Sequence, residues 1–322
     1  MYTIGVDLGG TNIAIGICDE NLNIIDKDST PTLSERGGDF IVDDMAALAK
    51  KLIDRNGISP AEIEYVGIAA PGAINEKDGV VDASFNIKYT KYPIADKFKE
   101  RFPVKKVYVA NDANVAALAE ALVGCAKGAK CSVMVTLGTG VGGGIILDGK
   151  IFSGGIHSAG AELGHMVIRA GGRQCTCGRR GCFEAYSSAS ALTAMTKEKM
   201  NELQIKEIPS KLFEVAEKAG KITARTAFDA MRLGDPYGKA LVDEYIENLA
   251  VGITNLINIF QPEVLSIGGG VCNEKEYLTA PLIALVDKEQ YTRGYEKRTR
   301  ITVAQLKNDA GIVGAAGLGR KA

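Results

Sequence analysis

Two stretches of this chain repeat one pattern: an apolar strand, a turn rich in glycine and threonine, and a second apolar strand. In the first, Val6-Asp7-Leu8-Gly9-Gly10-Thr11 joins strand patterns over 2–7 and 12–18. In the second, Thr136-Leu137-Gly138-Thr139-Gly140 joins strand patterns over 131–137 and 143–148. A fold that begins twice implies two related α/β lobes, each presenting a glycine turn to one shared cleft. The length agrees, since 322 residues suit about two domains at roughly 100–200 residues each.

Apolar and helical periodicities fill in the lobes. Phe40, Ile41, Met45, Leu48, Leu52 and Ile53 mark a helix over 39–55. Further strands are expected at 22–26, 63–70 and 106–110, and a helix over 94–102. After residue 112 the pattern gives a helix over 113–123 and an irregular Gly-, Cys- and His-rich stretch over 153–182. Helices are then expected at 187–199, 209–219, 224–233, 236–260 and 276–288, with strands at 263–267 and 300–305. The expected lobes are residues 1–112 and 113–308, with a last helix within 309–322 packing back on the first.

Composition narrows the function. Lys and Arg number 38 against 39 Asp and Glu, a net charge of -1, so no basic face invites nucleic acid or an anionic membrane. No apolar run reaches the ~18 residues of a membrane span. The chain enters a strand at residue 2 with no secretory pattern, so a cytoplasmic protein is expected. Seven cysteines in such a chain do not suggest a disulfide framework.

The glycine turns carry the first chemical signal. Asp7-Leu8-Gly9-Gly10-Thr11-Asn12 ends a strand; backbone N–H groups in such a turn form a concavity for phosphate oxygens. Asp7 is placed to hold Mg²⁺ through water. The plainer reading is a Gly-Gly hairpin. Gly138, Thr139 and Gly140 open a run with five glycines in seven residues, more than a hairpin needs. It has no Gly-Lys-Ser/Thr ending, and a strand follows it, so neither a Walker loop nor a dinucleotide fingerprint fits. Gly268-Gly269-Gly270 forms a third turn after the strand at 263–267, placed to pass under a nucleotide's base and ribose.

The second signal is acidic and thiolate. Asn111-Asp112 stands between the strand at 106–110 and a helix. Its plain role is helix capping; its chemical one is a carboxylate that accepts a proton from a hydroxyl during phosphoryl transfer. His165, Cys175, Cys177 and Cys182 offer one imidazole and three thiolates, the set of a tetrahedral structural zinc with no open position. An incidental or redox cluster is the alternative. Glu162 and Glu184 flank it; they are surface charges or carboxylate acceptors for sugar hydroxyls.

Taken together, the chain resembles the ROK sugar kinases (repressors, open reading frames and kinases) of the actin-like ATPase superfamily. The resemblance rests on DLGGTN at 7–12, APG at 70–72, NDANVAALAE at 111–120, TLGTGVGGG at 136–144 and AGAELGH at 159–165. It continues through CTCGRRGCFEAYSS at 175–188, PEVLSIGGGV at 262–271 and DAGIVGAA at 309–316. It implies a two-lobed, ribonuclease H-like α/β fold in which ATP and a sugar meet between the lobes. Asp112 matches the family's catalytic base, and Asn86, Asn111, Glu162, His165 and Glu184 match its sugar-contacting residues. His165 would serve twice, one ring nitrogen on zinc and the other toward the sugar. The family often carries a Trp after the position of Asn86; this chain has none, and Tyr89 is expected in its place.

The expected activity is ATP- and Mg²⁺-dependent phosphorylation of a hexose, with glucose as the leading substrate. N-acetylmannosamine, N-acetylglucosamine, fructose and allose kinases share much of the pattern. The family's repressors carry a helix-turn-helix ahead of the first strand, and none is expected here. A non-catalytic sugar sensor on the same fold is the remaining alternative. The resemblance also implies a homodimer or homotetramer.

Overall fold

The computed structural model describes residues 1–84, 87–155 and 160–320. They form a mixed α/β structure in two compact units. One comprises Met1–Met134, Gly144–Ala161 and Ala304–Ala322; the other comprises Val135–Gly143 and Glu162–Val303.

The chain opens with β1 (Tyr2–Leu8), β2 (Asn12–Cys18) and β3 (Ile24–Pro31), then α1 (Gly38–Arg55) and β4 (Ile63–Ala70). Three short strands follow, β5 (Ala73–Asn75), β6 (Val80–Ser84) and β7 (Tyr89–Tyr92), then α2 (Ile94–Lys99), β8 (Val107–Asn111) and α3 (Asp112–Leu122). Next come β9 (Cys131–Leu137), β10 (Val141–Leu147) and β11 (Lys150–Ile151). The helices α4 (Glu184–Ser187), α5 (Ala189–Ile205), α6 (Lys211–Ala219), α7 (Ala224–Arg232) and α8 (Pro236–Phe260) lead to β12 (Val264–Gly268). The chain closes with α9 (Glu276–Glu289), β13 (Arg300–Val303) and α10 (Ala310–Gly317).

The duplication is visible in the sheets. The first runs β3-β2-β1-β4-β8 and the second β11-β10-β9-β12-β13. In both, the strand that enters the glycine turn is central, flanked by its hairpin partner and by a later strand. In the first sheet β1, β4 and β8 are parallel, in register Val6–Ile68 and Ile68–Val109, while β2 pairs antiparallel with β1. Parallel strands place their carboxyl ends on one edge, where open α/β sheets bind ligands.

One face of β1 shows Ile4, Val6 and Leu8, all fully buried in one cluster with Ile41, Met45 and Leu52 of α1. Burial of each such side chain stabilises by about 1.5–3 kcal/mol. On the other face Gly5 and Gly67 carry no side chain, so the backbone of α10 lies directly on the sheet. A Cβ at Gly5 would stand 1.9 Å from the Ile312 carbonyl oxygen, and one at Gly67 1.8 Å from that of Ala315.

The structure departs from the sequence expectations in three places. Strands β5, β6 and β7 form a separate three-stranded sheet that no periodicity announced, because each strand is short and carries polar residues. Strand β3 runs on to Pro31 with every second residue exposed; it is an edge strand, and its Asp26 and Asp28 pair with Arg55 and Lys51 of α1. The helix expected over 187–199 starts at Ala189 and runs on to Ile205 as α5, and a separate short helix, α4, precedes it at Glu184–Ser187. Ser188 is extended and caps α5, its hydroxyl accepting from Ala191 N at 3.0 Å.

Candidate active site

In the first unit, the carboxyl ends of β1, β4 and β8 bring three functional segments to one edge. Asp7 is the last residue but one of β1, Pro71-Gly72 follows β4, and Asn111-Asp112 ends β8 and begins α3. Asn111 takes the cap. Its side-chain oxygen accepts from Ala113 N at 3.0 Å and Asn114 N at 3.3 Å, while Nδ2 donates to the Gly72 carbonyl at 3.1 Å. Asp112 is therefore not needed as the cap. It is half-buried, and its Oδ1 accepts from Ala113 N at 2.8 Å.

Asp7 is held in an unfavourable place for a charge. Burial, and then the charge of Asp112, push its carboxyl up to about 6 from the ordinary 3.8. Two carboxylates near enough for one charge to act on the other resist joint ionisation, and a divalent cation beside them relieves that. The turn after Asp7 is fixed by Gly9 N donating to the Asn12 carbonyl at 2.9 Å and by the Thr32 hydroxyl donating to the Gly9 carbonyl at 2.7 Å. Gly10, Thr11 and Asn12 are left exposed.

In the second unit, the other two glycine turns meet. Gly269 has φ +92°, and a Cβ there would lie 2.3 Å from the Leu137 carbonyl oxygen. Only glycine permits that backbone and that approach. As a result Gly138, Thr139 and Gly270 line one groove of about 960 Å³. Gly268 is the buried end of β12. Gly140 faces elsewhere, with the Glu184 carboxylate 2.4 Å from where its Cβ would be.

The groove is completed by residues that the sequence reading did not single out. They include Lys197, Phe228, Arg232 and Tyr277, drawn from α5, α7 and α9. Each sits at ordinary helical spacing, so no local motif marked them.

The cysteine stretch folds as a compact knuckle. Cys175 N donates to the Arg179 carbonyl at 2.8 Å and Gly178 N returns to the Cys175 carbonyl at 3.1 Å. One donor atom each from His165, Cys175, Cys177 and Cys182 lies within 4.8 Å of all the others. Cys177 Sγ and Cys182 Sγ are 3.7 Å apart, and Cys175 Sγ is 3.7 Å from His165 Nδ1. A tetrahedron with Zn–S bonds of ~2.3 Å has edges of ~3.8 Å, so the donor set and its spacing fit zinc. Because Nδ1 faces the thiols, Nε2 is the imidazole nitrogen turned away from them.

Glu184 joins this knuckle to the glycine turn. Its Oε1 accepts from the Thr176 hydroxyl at 2.8 Å, and its Oε2 accepts from Val141 N at 3.1 Å. Glu162 is exposed one short turn before His165, and its carbonyl accepts from His165 N at 3.0 Å. Asn86 lies outside the described residues. Tyr89 is 4% exposed in the core of the first unit, stacked on Tyr92 at 4.4 Å; its hydroxyl donates to the Gly38 carbonyl at 3.4 Å.

Comparison with known proteins agrees with this geometry. The ROK family model matches residues 3–322. A glucokinase from Thermotoga maritima is 35% identical, over 98% of this chain and 96% of its own. A crystal structure of a ROK family glucokinase from Streptomyces griseus, in complex with glucose and AMPPNP, superposes with a TM-score of 0.80 at 32% identity, covering 99% of each chain. A ROK hexokinase from Thermus thermophilus superposes with a TM-score of 0.81 at 31% identity, covering 98% of this chain and 97% of its own. The chain belongs to the ROK family and has its two-lobed actin-like ATPase fold.

Proposed function

We propose that this ROK-family chain is an ATP-dependent hexokinase that converts glucose to glucose 6-phosphate, with Asp112 as the base. The observation that carries the reading is the edge shared by Asp7 and Asp112. It sets two carboxylates, one strained by burial, at the carboxyl ends of three parallel strands. The similarity to glucokinases over nearly the whole chain supports glucose as the sugar and ATP as the donor.

Asp112 accepts the proton of the sugar's 6-hydroxyl as that oxygen bonds to the γ-phosphorus and ADP departs. Asn111 holds the start of α3 in place, and its second amide hydrogen, like Glu162, His165 Nε2 and Glu184, is assigned to sugar hydroxyls. Asn86 is assigned the same role by its match to the family's sugar-contacting position. The glycine turns at Gly9–Asn12, Gly138–Gly140 and Gly268–Gly270 supply backbone donors to the nucleotide. Mg²⁺, held near Asp7, would neutralise phosphate charge. Zinc on His165, Cys175, Cys177 and Cys182 would be structural, because four protein donors fill its tetrahedron.

No helix of the described residues is long and apolar enough to cross a membrane. A cytoplasmic site of action and a homodimeric or homotetrameric assembly complete the proposal.

Asp112→Asn keeps the shape and removes the base. It is expected to lower kcat by about 10²- to 10⁴-fold while MgADP still binds by calorimetry. Turnover equal to the parent's would remove Asp112 from its role.

A further inference from the structure

The glycine turns account for one part of the 960 Å³ groove, whose size falls within the ~300–1,000 Å³ of small-molecule sites. Another part of its lining has no counterpart in any phosphate-binding motif. There the guanidinium of Arg232 lies 4.6 Å from the ring centroid of Tyr277 and 5.9 Å from that of Phe228. Phe228 is fully buried, whereas Tyr277 is 52% exposed.

The guanidinium is itself pinned. Arg232 donates through Nη1 to Asp229 at 2.7 Å and through Nη2 to Glu274, whose side chain is only 8% exposed. An Arg held by two carboxylates and laid against an aromatic ring gives that ring one orientation. Tyr277 therefore offers a rigid, half-open π-surface inside the groove that the glycine turns share. Stacking on a ring already in place loses little conformational entropy.

We infer that Tyr277, backed by Arg232, is the platform on which the donor nucleotide's base stacks. The inference rests on the kinase reading for its ligand. A stack reads the π-face of a base rather than its edge, so it serves any purine. Arg232 is the positioning residue and Tyr277 the contact.

The test is calorimetric titration of the full chain with MgADP and, separately, MgGDP. Tyr277→Ala is expected to weaken both by about tenfold, roughly 1.4 kcal/mol. KM for MgATP should rise in step, and KM for the sugar should stay within about twofold. Tyr277→Phe keeps the ring and is expected to bind as the parent does. Because Tyr277 is half-exposed, the melting temperature of each variant should match the parent's, which separates stacking from folding.

MgADP bound by Tyr277→Ala as tightly as by the parent would overturn the platform and leave the kinase reading intact. So would a Tyr277→Phe variant as weak as Tyr277→Ala, which would point to the hydroxyl. A parent that binds MgADP but phosphorylates no sugar would sink the kinase reading, and the titrations would still decide the platform. A parent that binds no adenine or guanine nucleotide would sink both.

Discussion

Asp7 shows how a single residue sacrifices stability for a site. Its carboxyl is pushed up to about 6 from 3.8, first by burial and then by Asp112. The folded chain thus binds that proton more tightly than the unfolded one. The resulting stability is fully present below about 3.8 and is lost as pH rises through about 6. Without Mg²⁺ or nucleotide, the parent should melt at lower temperature as pH climbs across that window. Asp7→Asn should flatten that part of the profile and melt above the parent near pH 7, while losing most of its phosphoryl transfer. A parent profile with no fall between those values would show that Asp7 is not strained.

At this scale the sequence was informative where chemistry is local. The four metal-binding candidates lie close in the chain, and the structure brings their donor atoms within 4.8 Å of one another. Asp112 could be read as cap or base, and the structure gives the cap to Asn111. Tyr277, Arg232 and Phe228 left no trace, because residues on two separate helices become neighbours only through the fold. Thr176 did have a signal, since it stands between two ligands, but its bond to Glu184 required coordinates.

Among the elements, the knuckle at 165–182 has the most direct consequence. It grips Glu184 through the Thr176 hydroxyl, and Glu184 in turn accepts from Val141 N in the glycine-rich run. Removing the metal should therefore loosen the sugar site as well as the knuckle. Each chain is expected to carry one zinc by elemental analysis. A strong chelator should lower the melting temperature and raise the sugar KM. Thr176→Val is expected to keep the zinc and raise the sugar KM by about tenfold, the loss of one hydrogen bond to a charged group. An unchanged KM in a zinc-loaded Thr176→Val protein would uncouple Thr176 from the sugar.

Strong periodicity carried most other elements. The helix α8 over Pro236–Phe260 and the strand β9 over Cys131–Leu137 stand where their apolar patterns put them. The failures have physical causes. Strands of three to five residues, such as β5 and β6, are too short to show alternation. The helix expected from residue 187 begins at Ala189 because the extended Ser188 caps it, its hydroxyl accepting from Ala191 N, as serine does at a helix start.

For the molecule as a whole, the repeated strand–turn–strand pattern suggested two related lobes, and the structure adds what the pattern did not say, that the two five-stranded sheets share one strand order. The family's fold followed from that repeat together with motifs spread from Asp7 to Ala316. The substrate did not, because an acetamido group needs space rather than a distinctive residue. Assembly is likewise a property of surfaces, and sedimentation should return a dimer or tetramer if the proposal holds.

The most direct test is ADP release from MgATP across a panel of hexoses and N-acetylhexosamines, with Asp112→Ala as control. The prediction is turnover that prefers glucose and falls by at least about 10²-fold in the variant. Tight sugar binding with no ADP release from any member of the panel would contradict it and leave a sugar-sensing protein instead.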